Sequence, residues 1–489
     1  MSALAAPDLW IIAGYFLAIA LGGWWASRRR GDTRDFFLAG RQVPWPAVLL
    51  SITATEISAV TFLGVPGTGY GGNLGYLQFG IGSLAARFLV AFLFLPAFYR
   101  ARVVSIYEYL AGRFGGGTHR TAAVFFLLSR LNASAIRLLL AATGLSLFFG
   151  VPLFWAVVLF TGVALLYTAA GGIRAVIWTD CVQALVFIGG GLAALFFLVQ
   201  AAGGWEAFWS AAGERGQLRW IQWTPREGES WWSDWNVVYL AVLNGLVLTT
   251  AALGCDQDLT QRMLTCRSTG RAQWSVVLSG FLGIPVAAVF LLTGVALAVA
   301  GPALAGGGPP AELGANEVFA WFIAESAPAG LKGLLLVGIF ATAMSSLDSA
   351  VNALSSSALY DLLGPRWRQS VRAPRVGILV AGLLLAGLAL GLAGYRESFV
   401  WLGFKIVGIT YGSLLGVFLL GLTTRAPRGD DRGNLVAMLT GALVSAVLLA
   451  GIELADWPLG WTWIPLLNAA LTYGIAFWLG RPRVPAVSR

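Results

Sequence analysis

Thirteen runs of mostly apolar residues, each near 20 residues long, dominate this sequence. A run of that length crosses the ~30 Å hydrocarbon core of a bilayer as a helix, which satisfies every backbone amide internally. The runs are Leu9–Ser27, Trp45–Gly72, Tyr76–Tyr99, Arg120–Phe149, Pro152–Ala170, Ala175–Ala201, Trp235–Cys255, Gln273–Val299, Gly330–Tyr360, Arg375–Gly394, Phe399–Gly421, Gly433–Glu453 and Gly460–Leu479. Nothing between them is long enough for a separate soluble domain. Only 11% of the 489 residues are charged and 58% are hydrophobic, whereas a soluble domain carries about 25% charge. The expected fold is an all-α integral membrane protein with thirteen transmembrane helices in one domain over 1–489.

The net charge of +9 raises the question of nucleic acid. Its distribution argues against that partner. Arginines cluster after alternate runs: Arg28, Arg29 and Arg30; Arg100, Arg102 and Arg113; Arg174; Arg262, Arg267 and Arg271; Arg366, Arg368, Arg372 and Arg375; Arg425, Arg428 and Arg432; and Arg481, Arg483 and Arg489. The opposite loops hold few: Arg215, Arg219, Arg226, Lys332 and Arg396. Under the positive-inside rule this predicts an inner-membrane protein with its N-terminus outside and its C-terminus in the cytoplasm. The first run has its charges after it rather than before it, unlike a signal peptide. Cys181, Cys255 and Cys266 are an odd set with no disulfide framework, and the single His119 makes no metal cluster. Seven of the 21 tryptophans fall between Trp205 and Trp235, as an interfacial belt around the longest external loop.

Runs 2 to 6 make five crossings and runs 7 to 11 make five of opposite sense. The count permits an inverted repeat, 45–201 against 235–421, with a peripheral first helix over 9–27 and two peripheral C-terminal helices over 433–479. Run 2 is interrupted: Glu56 and several hydroxyls precede Gly64, Pro66, Gly67 and Gly69. Broken backbone at membrane depth lines a cavity, and such a span is the best sequence pointer to a transporter site. A tolerated kink is the alternative. Thr342, Ser345, Ser346 and Ser349 recur at i, i+3, i+4 and i+7, on one helical face. Hydroxyl oxygens suit a hard cation such as sodium, though a stripe of small residues also serves close helix packing.

Four segments carry a family resemblance. They are Asp35–Arg41 running into Trp45, Tyr167–Gln183 with its Trp-Thr-Asp wording, Asp256–Arg262, and Phe340–Asn352. In order and in topological place they resemble the sodium:solute symporter family over about Gly22 to Gly421. The resemblance implies a LeuT-like five-plus-five inverted repeat with one extra helix before and two after, and sodium as the coupling ion with no other cofactor. It implies a main sodium site from the backbone carbonyls of Ala54 and Ile57, the position of Thr342, and the hydroxyls of Ser345 and Ser346. The family commonly has Ala where Thr342 stands. A second cation site, present in part of the family, maps to Asp180, Ser345, Asp348 and Ser349, with Asp348 replacing a hydroxyl. Asp180 as a stabiliser of the start of run 6 is the alternative.

Glu56 is an ionisable residue inside the broken run and a functional candidate by default; it neutralises the ion, pairs with an arginine, or is protonated. Arg130, Ser134 and Arg137 share one face of run 4 at i, i+4 and i+7. By resemblance that helix lines the substrate cavity, where a guanidinium suits a carboxylate. A salt bridge from Arg137 to Glu56 or Asp348 is the alternative. Ser58, Thr61, Gln78 and Thr249 complete the expected substrate-binding set. Ala252 stands where hexose-transporting members have a gate tyrosine, which disfavours a galactose-type solute.

The reading is a secondary transporter, working by alternating access, that couples sodium entry to uptake of a small polar solute. A small organic anion such as a monocarboxylate comes first and an amino acid such as proline second. The expected partners are that solute, sodium and the lipid bilayer, with the monomer as the working unit. A proton-coupled transporter using Glu56 and Asp348 remains open. A sensor is disfavoured by a tail of ten residues after Leu479, and no nucleophile–base constellation suggests an enzyme.

Overall fold

The computed structural model describes residues 4–27, 32–57, 59–304, 307–314, 317–370, 372–393, 399–424, 430–455 and 457–480. Ser58 and the loop arginines Arg28, Arg29, Arg30, Arg396, Arg425, Arg428, Arg481, Arg483 and Arg489 lie outside the described residues. The main helices, in chain order, are α1 (Ala6–Ser27), α2 (Trp45–Glu56), α3 (Ala59–Gly71), α4 (Leu77–Ala101), α5 (Gly116–Phe149), α6 (Leu153–Ala201) and α7 (Val238–Gly254). They continue with α8 (Gln257–Leu264), α9 (Thr269–Ala300), α10 (Leu331–Ser357), α11 (Ala373–Leu392), α12 (Phe399–Thr423), α13 (Asp431–Leu454) and α14 (Trp463–Leu479). Among the described residues eight helices are long and apolar enough to cross a membrane, and up to ten if each of two bent pairs is one span. Their outer faces are apolar, with Leu454, Trp478 and Leu166 each more than three-quarters exposed. That is the pattern of a surface made for lipid rather than water.

The two bent pairs are α2 with α3, at 62°, and α7 with α8, at 63°. Each is packed at backbone distance on a helix from the other half of the chain. A Cβ on Gly69 of α3 would lie 2.2 Å from the Leu291 carbonyl oxygen, and one on Gly294 of α9 only 1.8 Å from that of Pro66. The α4–α7 contact repeats the arrangement: a Cβ on Gly82 would lie 1.8 Å from the Val242 oxygen, and one on Gly245 2.2 Å from the Phe79 oxygen. Glycine is the residue that permits such approach.

Runs 5 and 6 follow one another without a loop in the 49 residues of α6, which is broken at Gly172 (φ 58°, ψ −151°). At 1.5 Å per residue that is about 73 Å of helix, more than twice a single crossing. The positive φ calls for glycine, and a Cβ there would also meet the Phe36 carbonyl oxygen at 2.4 Å.

Helix α10 runs through the middle and is buried along nearly its whole length. Its start is held by α1: the Asp8 carboxylate accepts the Gly330 and Gly333 N–H groups at 2.8 and 2.7 Å. Those are the orphan donors of a helix N-terminus. In the same way Asp431 of α13 accepts the Gly117 and Thr118 N–H groups at the start of α5, at 2.7 and 2.6 Å.

Candidate functional site

The two helices of the first bent pair, α2 and α3, both pack on α10. Helix α2 makes its last bond from the Ile57 N–H to the Thr53 carbonyl at 3.1 Å, and Ile57 then turns extended (φ −81°, ψ 91°). A helix end leaves its last-turn carbonyls without intrahelical donors; Ala54 lies in that turn and Ile57 just past it, both buried. On α10, Thr342, Ser345, Ser346, Asp348 and Ser349 are all buried. Thr342 donates to the Ile339 carbonyl at 2.9 Å. Ser345 donates to Asp180 Oδ1 at 2.7 Å. Ser349 donates to the Ser345 carbonyl at 2.7 Å and faces Asp258 Oδ2 at 3.3 Å. The Ser346 hydroxyl has no hydrogen-bond partner among the described residues. A buried hydroxyl in that state is costly unless a ligand satisfies it.

Asp180 does not sit at a helix start. It lies two turns past Gly172, fully buried, and joins three elements: Ser51 of α2 donates to its Oδ2 at 2.5 Å, Arg262 of α8 pairs with it at 3.2 Å, and Ser345 of α10 takes its other oxygen. The helix-start alternative is therefore corrected. Of the expected second cation set, the structure brings Asp180 and Ser345 into contact, turns Ser349 to Asp258, and gives Asp348 another partner. Asp348 Oδ2 accepts the Tyr167 hydroxyl at 2.5 Å, and its Oδ1 has no partner among the described residues.

Arg262 also corrects the charge reading. Counted above with the loop arginines, it is fully buried in α8. Its guanidinium pairs with Asp258 at 2.6 Å and takes Ser51 Oγ at 2.8 Å. Helix α8 is short and polar because Asp256 caps it, accepting the Asp258 N–H at 2.8 Å. Arg130 of α5 completes the network, at 2.5 Å from Asp256 and 3.1 Å from Asp258, and the Tyr411 hydroxyl donates to Asp256 at 2.5 Å. Arg130 and Arg262 thus pair with the three carboxylates Asp180, Asp256 and Asp258 in the interior beside α10, where charge is expensive unless paired.

The alternative for Arg137, a salt bridge to Glu56 or Asp348, does not form. Glu56 pairs with Arg87 of α4 at 2.5 Å. Arg87 is buried and further held by the Ser83 carbonyl at 3.2 Å, the Ser83 hydroxyl, and Ser279 at 3.3 Å. Thr249 donates to the same Ser83 hydroxyl at 3.0 Å. Sequence reasoning missed Arg87 altogether, although an arginine in mid-run is the same signal that drew attention to Glu56. Arg137 is half-buried and makes no hydrogen bond or ion pair among the described residues. Thr61 is half-buried on α3. Gln78 is committed to the fold: its amide donates to the Gly75 and Asn236 carbonyls, both at 2.9 Å, and accepts the Gln222 N–H at 3.0 Å.

The fold and this site define a membrane transporter rather than an enzyme. Residues 36–441 match the sodium:solute symporter family, and the chain belongs to that family. It is a sodium-coupled solute symporter, with homologues for several solutes. One relative, the sodium/sialic acid symporter SiaT of Proteus mirabilis (strain HI4320), is 28% identical over 89% of this chain and 87% of its own. Another, the sodium/glucose cotransporter of Vibrio parahaemolyticus, is 28% identical over 85% and 80%. A solved structure of a Na+-coupled sialic acid symporter in its substrate-bound outward-open state superposes with a TM-score of 0.84 at 23% identity, over 98% of this chain and 99% of that one. That likeness establishes a shared LeuT-like fold.

Proposed function

We propose that the chain couples inward sodium movement to uptake of a small organic anion, such as a monocarboxylate, by alternating access. The observation that carries the solute class is Arg137, a half-buried guanidinium in mid-helix with no hydrogen bond or ion pair among the described residues. An unpaired cation there is costly, and a carboxylate offers it bidentate hydrogen bonds as well as charge. One relative is named for sialic acid, an anion, and another for glucose, which is neutral; Arg137 sides with the anion. Thr61 and Thr249 are the further solute contacts in this reading, and Glu56 and Gln78 brace the fold around them through Arg87, Gly75 and Asn236. An amino acid such as proline is the second candidate, since its carboxylate would also take Arg137.

Sodium binds at the Ala54 and Ile57 carbonyls with Thr342, Ser345 and Ser346. The buried Ser346 hydroxyl, without a hydrogen-bond partner among the described residues, supports this placement. Asp180, Asp348 and Ser349 form the second cation site if two ions move. The proton-coupled alternative loses Glu56, which is tied to Arg87, and rests on Asp348, whose Oδ1 is unpartnered.

The chain crosses the inner membrane thirteen times, with the N-terminus outside, and works as a monomer. The ten spans counted above rise to eleven when α6 is divided at Gly172 and to thirteen with the shorter α12 and α14. The matching bends of 62° and 63°, and the reciprocal glycine contacts at α3–α9 and α4–α7, support an inverted repeat of 45–201 and 235–421. The test is uptake into proteoliposomes. Arg137→Ala should abolish carboxylate uptake while sodium still raises the protein's unfolding temperature. Undiminished carboxylate uptake in that variant contradicts the solute assignment.

A further inference from the structure

A cavity of about 240 Å³ lies between α1, α5, α6 and α10, away from the polar network. Ile12, Phe16, Phe160, Val163, Phe340 and Met344 line most of it, and every lining side chain is apolar. It is larger than the ~150 Å³ apolar cavity that stays free of water yet takes up benzene. Water, which needs two or more polar partners, is therefore a poor occupant. Nor can the walls simply collapse. Helix α1 is clamped to α10 at both ends of the space: Asp8 caps the Gly330 and Gly333 N–H groups, and the Tyr15 hydroxyl lies 3.7 Å from Met344 Sδ.

The rim identifies the occupant. Phe149 and Leu159 border the cavity and are 37% and 52% exposed. They continue the outward face of α6 that carries Phe154, Trp155, Val158 and Leu166. In a multi-pass membrane protein that face meets the hydrocarbon of the bilayer, so the cavity opens directly onto acyl chains. Among the described residues, no charged or polar side chain lines the cavity to hold a headgroup.

We infer that this cavity is a binding site for a lipid acyl chain, which enters at the α5–α6 junction and packs on Phe340 and Met344 of α10. The bound chain fills a void that the fold cannot close and braces the helix whose next residues are Ser345 and Ser346. The lining contains none of the residues assigned above to solute or sodium, so the inference stands apart from the functional reading.

The test uses the full-length protein in phosphatidylcholine vesicles that contain a fraction of lipid with a photoactivatable diazirine in its acyl chain. After irradiation, adducts are mapped by mass spectrometry. The expected result is labelling of Ile12, Phe16, Val163 or Phe340. That labelling should be lost in Val163→Phe and, from a different helix, in Ile12→Phe, while the exposed Leu443 face of α13 labels as before. Both variants are checked for sodium-dependent thermal stability, so that a misfolded protein is not scored. Two results overturn the inference: a lining free of adducts while Leu443 is labelled, whether the space is empty or taken by a second copy, or labelling that survives in both variants.

Discussion

Glu56 and Arg87 are joined at 2.5 Å beside the break between α2 and α3. The pair ties the end of a broken helix to α4, and Ser83 carries the link on to Thr249 of α7. The two partners are not equally placed: the Arg87 side chain is 4% exposed and that of Glu56 26%. Replacing Glu56 by Gln strands a buried guanidinium and should cost about 3–5 kcal/mol of stability. Arg87→Leu leaves a carboxylate with some access to water and should cost less, and the double variant should recover part of the Glu56→Gln loss. Thermal unfolding of the three proteins checks the order. A harmless Glu56→Gln contradicts the pairing.

Ser346→Ala removes a hydroxyl with no other partner among the described residues, so its loss should affect ion binding more than folding. Sodium half-saturation for uptake should rise about tenfold, equivalent to ~1.4 kcal/mol. Ser345→Ala should be harder to interpret, because it also breaks the 2.7 Å bond to Asp180. Unchanged sodium dependence in Ser346→Ala removes that residue from the ion site.

The glycines at the two cross-half contacts permit no Cβ. Gly82→Ala and Gly294→Ala should each force backbones apart at contacts where the added carbon would lie 1.8 Å from a carbonyl oxygen. A loss of about 3 kcal/mol or more is expected for each, read as a fall in unfolding temperature. Gly144→Ala, with open space around it, should be neutral and is the control.

The long loop before α7 carries its own titratable anchor. Burial works to raise the Asp234 carboxyl, but the Arg226 and Asn236 N–H groups and the Arg226 guanidinium outweigh it and hold it below the usual value. A depressed carboxyl contributes its full stability above the ordinary value of about 4, and loses it as pH falls through the lower folded value. The stability gap between the native chain and Asp234→Asn should therefore be flat near neutrality and narrow below about pH 4. A gap that persists unchanged at pH 3 contradicts this account.

The apolar runs made the helices legible, because length and hydropathy leave a membrane segment few alternatives. That run 2 is interrupted was legible for the same reason, but the place was not: Gly64, Pro66, Gly67 and Gly69 lie inside α3, and the 62° bend falls between Glu56 and Thr61. The α10 hydroxyl face followed from helical spacing alone. Partners across the chain did not. Glu56 finds Arg87, 31 residues away, and not Arg137. Arg262 looked like a loop charge because the fold of α8 back into the interior has no local periodicity; only the Asp256 cap hinted that a helix begins there. Asp180 read as a cation-site residue with a helix-start acid as the alternative, and the choice was not legible because its partners Ser51, Arg262 and Ser345 come from three distant segments. Charge sign and hydropathy are properties of one residue, and pairing is a property of the packed bundle.

Thermal unfolding of the purified protein with a panel of carboxylates, amino acids and sugars, each in sodium and in equimolar choline, tests the central claim most directly. The account predicts that a small carboxylate raises the unfolding temperature in sodium and has little effect in choline, because ion and solute stabilise the same folded arrangement. Stabilisation that is indifferent to sodium but varies with pH contradicts it, and would move the coupling role from the Ser346 site to Asp348.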